Sequence, residues 1–232
     1  MNDRLNQEDI KITREKRWSG FLFLVIFVIF TLGIVISGYF YYKSQAKELR
    51  EATNDQLIAI ADLKVTQLVN WREDRMEDAV YILNQPLFLP FVHQYLDNSG
   101  DPALTKKVFS WMKLFQENQN YKTIILTDAQ GNEKISVPPE EKFSHLFSRQ
   151  YIAEVLRTKR IIFTDFHFDK KTPYIHLSLV IPLSEPFSKD AAPFGVLVLE
   201  IDPYQFLYPF IQTWPTLSKT AETLLVRREG MR

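Results

Sequence analysis

One run dominates the pattern of apolar and polar positions. Trp18 to Tyr42, WSGFLFLVIFVIFTLGIVISGYFYY, contains no charged residue. At about 1.5 Å per residue, a helix of this length crosses a bilayer core of roughly 30 Å. Backbone in hydrocarbon must satisfy its own hydrogen bonds, so the run is expected to be a transmembrane helix over 18–42. Trp18 at one edge and Tyr39, Tyr41 and Tyr42 at the other suit the headgroup level. Its apolar core is longer than that of a signal peptide and lacks a small-residue cleavage pattern, so it reads as an uncleaved anchor.

Beyond the anchor, residues 43–85 carry no Gly or Pro and are rich in helix formers. Ile58, Ala61, Val65, Leu68, Arg72, Met76, Ala79 and Leu83 recur at steps of three and four, which predicts one long helix buried along that stripe until Pro86. Charge at Val65 or Leu68 is then expected to disrupt the module. A short helix over 87–96, a turn over 98–102 and a helix over 103–118 with Leu104, Val108, Trp111, Met112 and Phe115 on one face follow.

The period then shortens to two. Strands are expected at 121–127 and 133–137, joined by a turn at Gly131. A helix over 147–158 precedes a strand over 160–168. Residues 174–183 alternate Ile175, Leu177, Leu179 and Ile181 with Tyr174, His176 and Ser178, predicting one core face and one polar face. Residues 194–201 are apolar on both faces and read as a central strand. Asp202-Pro203 is expected to open a helix reaching about Gln212, and 221–228 to form another strand. The result is an α+β fold with helices against an antiparallel five-stranded sheet.

Composition narrows the function. The 28 basic and 28 acidic residues balance, which argues against nucleic acid as partner. Cysteine is absent, removing disulfides and thiolate chemistry. There is no phosphate-cradling Gly-rich loop, GxSxG elbow or HExxH motif, so the chain reads as no enzyme and needs no cofactor. Arg14, Lys16 and Arg17 before the span, against Lys43 and Lys47 after it, place residues 1–17 in the cytoplasm as a short tail and the rest outside the membrane.

Four segments carry a resemblance: IAIADLKVTQLVNWREDRMEDA at 58–79, TIILTDAQGNEKISVP at 123–138, FTDFHFDKKTPYIHLSLVIPL at 163–183 and FGVLVLEIDPYQFLYPFI at 194–211. Their order and spacing resemble the extracytoplasmic double Cache sensor region, built of PAS-like modules, of prokaryotic membrane histidine kinases and diguanylate cyclases. That resemblance implies a membrane-distal module over 43–212 and the start of a membrane-proximal one over 213–232, left incomplete. It also implies a homodimer, a small-molecule ligand and a role in two-component signal transduction. The polar strand face and preceding loop nominate Tyr121, Tyr151, Asp165, His167, Tyr174, His176 and Ser178 as ligand-binding residues, with no metal expected. The Arg-x-Trp pattern of amino-acid-binding family members is missing, because neither Trp111 nor Trp214 has an Arg two residues before it. The alternatives are a single-pass interaction or structural protein, or a nonfunctional sensor fragment.

Overall fold

The computed structural model describes the backbone of residues 2–98, 100–139, 145–168, 175–185, 191–215 and 222–226, and the side chains of these residues apart from 2–20, 145–148, 167 and 168. The chain divides into two compact units, Met1–Leu63 and Lys64–Arg232. Helix α1, Asn2–Leu83, contributes to both. In the first unit the apolar side chains from Phe21 to Tyr42 are exposed or nearly so. By length and composition this helix can cross a membrane.

The second unit is a three-layer α+β module. Helices α2 (Phe88–Asp97) and α3 (Pro102–Gln119) follow α1. Asp101 caps α3, its Oδ1 accepting from the backbone N–H groups of Ala103 (2.8 Å) and Leu104 (3.4 Å), and Pro102 takes the first turn, where its missing donor costs nothing. Strands β1 (Thr123–Asp128) and β2 (Glu133–Val137) form the expected hairpin. Gly131 sits at its turn with φ +79°, and the Asp128 carboxylate accepts from the N–H groups of Gln130 and Asn132. Helix α4 (His145–Thr158) leads to β3 (Ile162–Phe163), β4 (His167–Phe168), β5 (Ile175–Leu183), β6 (Gly195–Ile201) and α5 (Leu207–Gln212).

The main sheet runs β2-β1-β6-β5-β3 with every pairing antiparallel, and β4 pairs with β5 beside it. Strand β6 is central, as its two-sided apolar pattern requires. It enters the sheet at Gly195, where an added Cβ would lie 2.7 Å from the Thr127 carbonyl oxygen, so the position excludes a side chain. One sheet face, through Ile124, Leu126, Leu179, Ile181, Leu197 and Leu199, packs on α1, α2, α3 and α5. The other, through Ile125, Val180, Val196 and Val198, packs on Ile152 and Val155 of α4.

Four expectations are corrected. Ile58, Ala61 and Val65 are exposed, Val65 at 59%, and Arg72 is too; the face that α1 buries carries Lys64, Leu68, Trp71, Arg75, Ala79 and Ile82. A stripe read from apolar residues alone missed this face, because its first residue is a lysine. The expected strand over 160–168 is split into β3 and β4, since Thr164, between them, hydrogen-bonds with Ser178 through its N–H and its hydroxyl. The helix expected from Pro203 begins only at Leu207; Asp202 instead closes a tight turn by accepting from the Tyr204 N–H (2.9 Å). Residues 222–226 take no strand, for no described strand lies alongside to complete their ladder.

Lys64 explains how α5 is held. It is 7% exposed, and its Nζ donates to the carbonyls of Phe210 (3.0 Å), Ile211 (2.9 Å) and Thr213 (2.8 Å), which a helix C-terminus otherwise leaves without donors. Burial holds this ammonium below its ordinary pKa. Replacing Lys64 with Ala should speed amide hydrogen exchange in the peptide 207–213 by about tenfold, from the loss of hydrogen bonds to a charged donor, while β1 and β6 stay protected. Because of the corrected stripe, Val65→Lys should leave stability within about 0.5 kcal/mol, whereas Leu197→Ala in the central strand should cost about 2–5 kcal/mol in denaturant unfolding.

Candidate functional site

Antiparallel register assembles a polar row on the sheet face that α4 covers. Thr123 of β1 pairs with Glu200 of β6, and Glu200 pairs with Ser178 of β5. One step along the same strands lies the apolar row Ile125, Val198 and Val180 under α4. Side chains two residues apart share a face, so the polar row continues that surface beyond its apolar part. Thr123, His176 and Ser178 are all buried.

Burying a carboxylate here demands partners. His176 Nδ1 lies 2.8 Å from Glu200 Oε1, the separation of a hydrogen bond in which imidazole N–H donates to the carboxylate. Burial pushes the Glu200 carboxyl up. The hydrogen bond and charge of His176, the charge of Lys122 and a hydrogen bond from Thr123 outweigh it, so the group titrates below its ordinary range. Ser178 is fixed through its backbone: its N–H donates to Thr164 Oγ1 and its carbonyl accepts from the Thr164 N–H, each at 2.8 Å.

The seven nominated residues divide. His176 and Ser178 share this row. Tyr151 of α4 packs against the apolar patch of the same face, its phenol pushed up by burial and by the negative charges of Asp165 and Glu154. Asp165 is exposed, and its Oδ1 accepts from the Phe166 N–H (2.8 Å). His167 is brought opposite His176 by the pairing of β4 with β5. Tyr174 lies outside the described residues. Tyr121 belongs to the other face: its hydroxyl donates to Asp78 Oδ2 of α1 (2.7 Å), its ring stacks on Phe115, and it is not brought to the row.

Glu200 and Thr123 were not legible as site residues, because each stands in a run that reads as β-strand core. The available signal was a single carboxylate inside the apolar sequence GVLVLEI. Two grooves, of about 600 and 730 Å³, run along α1, and neither is lined by the polar row.

No protein-family model matches the chain, and no curated protein matches it. Solved structures do. The sensor domain of the V. cholerae histidine kinase DctB aligns with a TM-score of 0.56 at 13% identity, over 72% of this chain and 61% of that one. The extracellular domain of the histidine kinase vpHK1S-Z8 aligns with a TM-score of 0.55 at 19% identity, over 70% and 63%. The Campylobacter jejuni chemoreceptor Tlp3 ligand-binding domain, in complex with L-norvaline, gives 0.50 at 15% identity, over 70% and 63%. The fold is that of a Cache-type, PAS-like sensor domain. The chain spans 61–63% of the length of these relatives. All three are sensor, extracellular or ligand-binding domains of signalling proteins.

The polar row carries a signed pH dependence. A depressed carboxyl pKa contributes stability that is complete above the ordinary value of 4.5 and is lost as pH falls through the folded value. Wild type should therefore be more stable than Glu200→Gln at neutral pH, by about 1–3 kcal/mol from the charged hydrogen bond. The gap should close as melting is followed downward from pH 4.5.

Proposed function

We propose that the chain is a membrane-anchored sensor. In this reading 18–42 crosses the membrane, 1–17 is cytoplasmic, and the Cache module lies outside and takes a small molecule at the polar row on its α4 face. The observation that carries it is the His176–Glu200 pair, a hydrogen-bonded polar pair on the sheet face whose neighbouring row of Ile125, Val198 and Val180 packs on α4. Few, convergent polar groups on an apolar wall are what a small-molecule site requires.

The ligand acts through the helix that carries both the span and the module's packing face. It shifts that helix only by its difference in affinity for two arrangements. The module is the front part of a kinase- or cyclase-type receptor and works as a homodimer. The similarity to Tlp3 does not bring L-norvaline with it, because the Arg-x-Trp pattern of amino-acid binders is missing here.

Thermal unfolding of the full chain in detergent against organic acids, amino acids, amines and nucleobases tests this. A ligand at a hundredfold excess over its Kd stabilises the folded state by about 2.7 kcal/mol. At least one compound should raise the melting temperature, and Ser178→Ala and Glu200→Gln, if they still melt cooperatively, should abolish its effect. A library without effect, or a shift that survives both substitutions, would defeat the reading.

A further inference from the structure

The second groove along α1 has a composition unlike the polar row. Gln67, Asn70, Trp71 and Asp74 recur at steps of three and four, and so share one side of α1. The end of α3 brings Gln119 and its left-handed cap Asn120 (φ 56°), and the segment after β6 brings Asp202, Gln205 and Phe206. Together they line a space of about 730 Å³, within the range of small-molecule sites.

Five of these side chains are carboxamides. Among the described residues no hydrogen bond engages the side-chain amides of Gln67, Asn70, Gln119, Asn120 or Gln205. Arg75, in the same wall, spends Nη1 on the Gln119 carbonyl (2.8 Å) and on Asp78 (3.3 Å), while its buried Nε has no partner. The apolar part of the wall is Trp71, stacked on Phe206 with ring centroids 5.7 Å apart and planes at 12°.

We propose that this groove is a second ligand site, for a neutral, hydroxyl-rich small molecule such as a sugar or polyol. A hydroxyl both donates and accepts, and a carboxamide presents a donor and an acceptor in one plane, so the two match without net charge. Asp74 and Asp202 add acceptors for hydroxyl protons. The indole of Trp71 and the ring of Phe206 give the C–H surface of such a molecule an apolar wall. The site is separated from the His176–Glu200 row by the thickness of the sheet, for Trp71 packs on the core of the opposite face.

Saturation-transfer NMR on the full chain, in a zwitterionic detergent free of sugar headgroups, tests the assignment with D-glucose, D-galactose and trehalose as probes. At least one should receive saturation. Its affinity should fall about tenfold in Gln119→Ala/Gln205→Ala, which removes two carboxamides from groups outside the core, and stay unchanged in Ser178→Ala. Absence of transfer to all three sugars overturns the proposal, as does transfer of equal strength in the double variant. Transfer to the amine putrescine alone overturns it as well, since Asp74 and Asp202 would then define a cation site. The Ser178→Ala comparison keeps this outcome independent of the sheet-face site.

Discussion

The module depends on two cations of α1 that end other helices. Lys64 donates to three carbonyls at the end of α5, and Arg75 donates to the carbonyl of Gln119 at the end of α3. At 3.6 residues per turn they stand about three turns apart, hence on one face. Helix C-termini expose carbonyls and the negative end of the dipole, so a cation there offsets both deficits. No described carboxylate pairs with Lys64. Its buried charge rests on carbonyl dipoles and on the Phe210 ring, 5.1 Å from Nζ. That is a costly arrangement to dissolve halfway, because any smaller set of partners leaves an ammonium buried and undersatisfied.

A different economy governs the sheet. Both faces are covered, so polar residues on it must be satisfied within the protein. Thr123, Glu200 and His176 are satisfied by one another and Ser178 by Thr164, at the end of a face whose next row is Ile125, Val198 and Val180. A hydrogen-bonded row of this kind holds its side chains in one arrangement.

Local pattern was enough for much of this architecture. The β1–β2 hairpin was written in a β-branched run, a DAQG turn and a returning run, and the central place of β6 in residues apolar on both faces. The face of α3 was equally plain. What local pattern did not carry was the effect of partners far away in sequence on where polar residues end up. Lys64 is buried because acceptors 146 to 149 positions away in sequence come to meet it. His176 and Ser178 are buried where β6 brings Glu200 to one and Thr164 meets the backbone of the other. Tyr121 was nominated as a pocket wall for its aromatic ring, yet the side of the sheet on which it falls is decided by Asp78 and Phe115, on α1 and α3.

The same long-range partners join the two sides of the sheet mechanically. Glu200 faces the polar row while Leu199 and Ile201, its neighbours in β6, belong to the core shared with α1. Strand β6 runs from there into the Asp202 turn and then α5, whose last carbonyls Lys64 holds. Strand β6 is thus joined to α1 by residues 202–206, α5 and the Lys64 contact with its last carbonyls. The groove between α1 and α5 lies against this same connection, since Phe210 and Trp71 line it. A molecule bound on either face would shift α5 only by its difference in affinity for two positions of that helix.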